Sequence, residues 1–149
     1  MAADRSWEAT EKGAHLRGRR TRNTKPEVAL RSAVHALGFR FRLHQQLVAR
    51  CTPDFVLPRW RLAVFVDGCF WHGCPDHAPA FRGPNAERWR IKIDTNRARD
   101  RRNDASLEEA GWRVHRVWEC EIRRDVRLAA EEVGRKAREG SVPRDPSGR

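Results

Sequence analysis

The stretch Thr52-Pro53-Asp54-Phe55-Val56-Leu57-Pro58-Arg59-Trp60-Arg61-Leu62-Ala63-Val64-Phe65-Val66-Asp67 holds two apolar runs separated by a proline-led turn. The second run, Leu62 to Val66, is apolar throughout, as expected of a central strand covered on both faces. The first, Thr52 to Leu57, is a strand that reaches it through the turn at Pro58 to Arg61. Upstream, Phe39, Phe41 and Leu43 alternate with Arg40, Arg42 and His44, the two-residue period of a half-buried strand. Three consecutive strands are therefore expected.

Helices flank this block. Thr24-Lys25-Pro26-Glu27 is a helix start: Thr24 can cap, Pro26 suits the first turn, and Glu27 stands where a capping-box acid reaches back. Leu30, Ala33, Val34 and Leu37 then follow the helical rhythm, and Gly38 can close the helix. A long helix is expected from about Asn85 to Ala110, stopped by Gly111. Trp112, Val114 and Val117-Trp118 mark a fourth strand, and Asp125 can cap a last helix running to about Ala137. The fold class is thus α/β, a mixed central sheet flanked by helices. The order resembles the α-βββ-α-β core of the PD-(D/E)xK (restriction-endonuclease-like) nucleases, although other folds share it.

With 149 residues there is room for one core of modest size. Residues 1–20 read as a flexible basic arm, 21–140 as the single folded domain and 141–149 as a disordered tail. The chain carries 31 Lys and Arg against 20 Asp and Glu, a formal charge of +11, and the excess is clustered. From Arg82 to Arg102 there are eight basic residues and three acids, with Trp89 among them. Such a segment displaces counterions from phosphates, and its aromatic ring can stack on bases, so nucleic acid is the expected partner. A solvated basic surface would have the same composition. No run approaches the roughly 20 apolar residues that span a bilayer, and the N-terminus lacks a signal-like apolar segment, so a cytoplasmic protein with no membrane association is expected.

Four cysteines in a reducing compartment suggest metal ligands or free thiols before disulfides. Cys69, Cys74 and His77 can supply three ligands from one loop, with Cys120 as a distant fourth. Four protein ligands fill a tetrahedral Zn²⁺ shell and leave no open position, so such a zinc would be structural. The alternative is free thiols and a solvated histidine. Cys51 lies outside the set and is expected to be a free thiol.

Asp54 in Pro-Asp-Phe-Val, the run Val64 to His72 (Val-Phe-Val-Asp-Gly-Cys-Phe-Trp-His), Trp89, Asn96 with Arg99-Asp-Arg-Arg102, and Gly111-Trp-Arg-Val114 followed by Val117-Trp-Glu-Cys120 together resemble the very short patch repair endonucleases. The match runs in order over roughly residues 20 to 125. It implies a strand-specific nick 5′ to the thymine of a T·G mismatch, the lesion left when 5-methylcytosine deaminates. Double-stranded DNA bearing that mismatch would be the substrate of a monomer, with mismatch-repair proteins as partners.

The chemistry suits the residues. Phosphodiester hydrolysis needs an activated water and a cation facing the charge that develops on phosphate. Asp54 is a hard oxygen ligand suited to catalytic Mg²⁺, and the resemblance adds the main-chain carbonyl of Val66. His72 titrates near neutral pH and can serve as general base, the role the resemblance implies; a zinc ligand or phosphate contact is the other possibility. Glu27 matches the acid that orders metal-bound water in the family, while its capping-box position is explained equally well without catalysis. Asp67 stands where related nucleases carry the acid-and-lysine end of the strand, and cation ligand, water acceptor and loop cap are all open to it. By resemblance Phe70, Trp71 and Trp89 wedge into the base stack beside the mismatch, with Lys92 and Asn96 as further DNA contacts. Core packing is the competing explanation for the tryptophans.

Two departures are visible. The strand end Phe65-Val66-Asp67 has no lysine, which the mismatch-repair branch also lacks. Cys74 and His77 differ in order and spacing from the best-known zinc pattern of the family, leaving the third ligand open. Besides mismatch repair, the same residues admit a nuclease of restriction or phage defence, or a zinc-stabilised DNA-binding module without catalysis.

Overall fold

Strand Leu62–Asp67 (β3) is the centre of a four-stranded sheet in the computed structural model, which describes residues 23–69, 74 and 83–140. The arm assigned to 1–20 and the tail at 141–149 lie outside the described residues, as do Phe70, Trp71, His72 and His77. Leu62, Ala63 and Val64 are fully buried, as their continuous apolar run requires. The strand order is β1 (Arg42–Leu43), β2 (Phe55–Leu57), β3, β4 (Arg113–Trp118). The first two pairings are antiparallel and β3 with β4 is parallel, so the sheet is mixed.

A parallel neighbour requires a crossover, which helix Ala86–Glu109 (α2) supplies. Helix Lys25–Ala36 (α1) precedes the sheet, and the short helix Glu119–Arg124 (α3) and helix Val126–Glu139 (α4) follow it. The helix starts form where expected: Thr24 Oγ1 accepts the Glu27 N–H at 3.4 Å, and Asp125 accepts the Leu128 N–H at 3.1 Å.

The two faces of the sheet are covered unequally. On one, Leu30 and Val34 of α1 and Ala130, Val133 and Ala137 of α4 pack with Phe55, Leu57, Val64 and Val117. Gly134 is what lets α4 come so close, since a Cβ there would lie 2.9 Å from the Phe39 ring. The other face has a smaller core of Cys51, Val56, Ala63 and Leu107. Cys51 is a buried free thiol, as expected from the sequence. Along 24 residues α2 buries only Ile93 and Leu107, so most of its charged surface stays on the outside.

Three details depart from expectation. The first strand is confined to Arg42–Leu43, because His44 turns left-handed with φ +47° and ends the ladder. Phe39 and Phe41 still turn inward, whereas Leu43 is 43% exposed. Leu37 caps α1 instead of extending its apolar stripe. Finally, α3 has a single buried residue, Ile122, in a charged run, which is too little for a hydrophobic period to reveal.

Candidate active site

Asp54 precedes β2 and is tied to β3 twice. Its N–H donates to the Val64 carbonyl at 3.1 Å, and its carboxylate Oδ2 accepts the Val66 N–H at 2.6 Å. The antiparallel register, with Phe55 opposite Val64, brings the acid to the C-terminal end of the central strand. Burial pushes the Asp54 carboxyl up to about 6, with the nearby carboxylates of Glu27 and Asp67 adding to the rise and the Val66 N–H opposing it. Three acids thus crowd one end of the sheet, an arrangement that a cation relieves. Oxygen donors from Asp54 and the Val66 main chain suit Mg²⁺.

Glu27 is 2% exposed although it is charged. Its Oε2 accepts the Asn23 N–H at 3.0 Å, and its Oε1 lies 3.2 Å from Arg31 Nη1 and 3.1 Å from His44 Nε2. The capping turn therefore exists, but the side chain does more than cap: it is held among three donors beside Asp54. His44 was not apparent in the sequence, where it simply closed an alternating strand.

Asp67, 4% exposed, faces Arg116 of β4, whose Nη1 lies 3.0 Å from Oδ1. The same guanidinium reaches Asp104 at 2.7 Å and Asp100 at 3.7 Å, both on α2, and lies over the Phe65 ring at 4.1 Å. Of the roles open to Asp67, the geometry supplies that of an ion-pair acceptor joining β3 to the basic helix. The spacing of Asp100 and Asp104 is the only sequence sign of this cluster, since i and i+4 share a helix face. Arg116→Met removes the ion-pair partner of a buried carboxylate, and we expect it to cost about 2–4 kcal/mol in a urea unfolding titration. A loss below 0.5 kcal/mol would show the network to be energetically idle.

The parallel register puts Asp67 opposite Trp118, so both chains leave the sheet at the same end. Cys69 and Cys120 each follow two residues later and meet there. With Cys74, whose N–H donates to the Cys69 carbonyl at 3.1 Å, their three Sγ atoms lie within 4.8 Å of one another. Cys74 Sγ and Cys120 Sγ are 3.7 Å apart. Two thiolates on a tetrahedral Zn²⁺, at about 2.3 Å each, are about 3.8 Å apart, so the donor set fits zinc. Burial raises the thiols of Cys69 and Cys120, which makes a bound cation the means of holding them as thiolates.

On α2, Trp89, Lys92 and Asn96 are spaced by three and four residues and share a helix face. Trp89 and Asn96 are partly buried and Lys92 is exposed.

The family model described as DNA mismatch endonuclease Vsr matches residues 6–77. The type II nicking enzyme V.XorIIP of Xanthomonas oryzae pv. oryzae is 48% identical over 103 residues, spanning 69% of this chain and 75% of that protein. The DNA mismatch endonuclease Vsr of Escherichia coli is 38% identical over 127 residues, spanning 84% of this chain and 80% of its own. This chain belongs to the Vsr family. It is therefore an endonuclease, which rules out a DNA-binding module without catalysis. Among solved structures, the catalytic domain of homing endonuclease I-Bth0305I superposes with a TM-score of 0.54 at 17% identity, covering 80% of this Vsr-family chain and all of that domain. The shared fold agrees with the restriction-endonuclease-like architecture. No helix among the described residues is long and apolar enough to cross a membrane.

Proposed function

We propose that this Vsr-family endonuclease uses Mg²⁺ to nick one strand of duplex DNA 5′ to the thymine of a T·G mismatch left by deamination of 5-methylcytosine. The observation that carries the proposal is the Asp54 carboxylate fixed to the end of β3 by the Val66 N–H at 2.6 Å, with Glu27 and Asp67 close enough to raise its pKa. Bound there, Mg²⁺ would neutralise charge developing on the scissile phosphate and make water more acidic.

In this reading each residue has a stated role. Asp54 and the Val66 carbonyl would hold the cation, and Glu27, oriented by its three donors, would accept hydrogen bonds from the water it acidifies. His72 takes the proton from the attacking water. It lies in sequence between Cys69 and Cys74, so a zinc held by Cys69, Cys74, Cys120 and His77 would restrain the segment that carries it. Asp67 acts on Asp54 through its charge and on α2 through Arg116. Trp89, Lys92 and Asn96 present one face of α2 to the duplex, while Phe70 and Trp71 enter the base stack at the mismatch, where unstacking costs least. One such centre cuts one strand, so a monomer suffices.

The test is a pair of end-labelled duplexes identical except for one T·G or matched C·G pair. With Mg²⁺, the mismatched duplex should be nicked at least about a hundredfold faster, as expected when one unpaired step lowers the cost of unstacking by a few kcal/mol. Equal cleavage of both would remove the repair role and favour a nicking enzyme of restriction or phage defence; two relatives are named type II nicking enzymes.

A further inference from the structure

We propose that His44 is a positioning residue that sets the spacing between Asp54 and Glu27, and so the fit of the catalytic cation. The proposal rests on the roles given above to those two acids. Two separate contacts support it, one from the side chain of His44 and one from its backbone.

The side chain reaches across from the end of β1 to α1, where Nε2 lies 3.1 Å from Glu27 Oε1 over a sequence separation of 17 residues. The ring is 19% exposed and the carboxylate 2%, so water competes little for this contact. A carboxylate only accepts, so Nε2 carries the proton and donates. The main-chain N–H of the same residue donates to the Asp54 carbonyl at 3.4 Å. One residue thus bridges the two acids, its ring on one and its backbone on the other.

The backbone of His44 strengthens the case. At φ +47° it occupies the left-handed region, which is unfavourable for any residue with a Cβ. If ending β1 were the only requirement, glycine would do so without strain. Strain of this kind persists where the surroundings over-determine it, commonly at functional sites. What a glycine could not supply is the imidazole N–H that meets Glu27.

Arg31 and the Asn23 N–H also hold Glu27, but both come from α1 and its leading turn. They fix the carboxylate relative to its own helix. Only the His44 contact, among those described for Glu27, ties it to the polypeptide that holds Asp54.

The experiment compares His44→Leu, which removes the donor, with His44→Gln, whose amide can still reach Glu27, and His44→Asn, whose amide is too short. Mn²⁺ uptake is measured by calorimetry with the nicked product duplex bound, and nicking rate is measured against Mg²⁺ concentration. Leu and Asn should weaken Mn²⁺ binding by about 10- to 100-fold, the usual effect of removing a partner that orients a ligand shell. They should also raise the Mg²⁺ concentration needed for half-maximal rate, while the Gln variant recovers most of both. Melting curves and retained zinc identify variants that are folded; if the Leu variant is not, the Gln and Asn pair decides. Folded Leu or Asn variants with wild-type Mn²⁺ affinity and Mg²⁺ dependence would overturn the role of His44. Asp54→Asn separates the two levels: unchanged Mn²⁺ uptake in that variant, or none in the wild type, would overturn the assignment of Asp54 itself and this proposal with it.

Discussion

Asp54→Ala is expected to lower Mg²⁺-dependent nicking by about a thousandfold or more, because losing the anionic ligand removes about 4 kcal/mol of charge stabilisation from the transition state. DNA affinity should change little, since Asp54 contributes no positive charge to the phosphate contacts. The buried carboxyl also predicts a pH dependence. With its pKa pushed up to about 6, the group is increasingly protonated as pH falls through that value, and a protonated acid is a poor ligand for Mg²⁺. Nicking should therefore decline on the acid side of about pH 6, and saturating Mg²⁺ should move the midpoint lower by competing with the proton. Stability moves the opposite way in metal-free protein. The folded carboxyl lies above the unfolded value of about 3.9, so ionisation costs stability at neutral pH, and the cost is relieved as pH falls from about 6 to 4. Asp54→Asn should consequently stabilise the metal-free protein at pH 7.5, by no more than about 3 kcal/mol. A variant that nicks as fast as wild type would sink the assignment, and an unchanged melting temperature would show the acid to be better solvated than its surroundings suggest.

Removing zinc should have a large effect on stability. The thiol cluster joins the exits of β3 and β4. Metal affinity at such a site is folding energy, since the unfolded chain holds no preformed site. Chelation, or Cys120→Ser, is expected to lower Tm by roughly 10 °C, at about 3–4 °C per kcal/mol for a chain of this size. Nicking should fall with it, because in the proposed mechanism zinc restrains the segment that carries His72. Cys51→Ser is the control: that thiol is buried in the smaller core, away from the cluster, so the variant should lose some stability but keep its zinc. Metal analysis of freshly purified protein that found no zinc, or a Tm indifferent to chelator, would remove the metal from the description.

The sequence displayed most clearly those elements whose burial is periodic. Leu62 to Val66 announced a central strand because no polar residue interrupts it, and Thr24 and Asp125 marked helix starts through short-range bonds to their own chain. Asp54 was legible because proline and a strand frame it. His44 and Arg116 were not, because the partners that give them meaning lie 17 and 49 residues away, a distance over which local pattern carries no information. Arg116 in particular looks like the solvated member of an alternating strand until α2 is laid across it. The short helix α3 escaped for a related reason, having one apolar residue to bury.

The bond from Val66 to Asp54 and the thiol of Cys69, two residues past the end of β3, are separated by three positions. Gaining or losing a single residue between them would flip the pleat and misalign the carboxylate or the sulfur cluster. This junction should therefore reject insertions and deletions, so length variation among natural variants should accumulate in connections elsewhere.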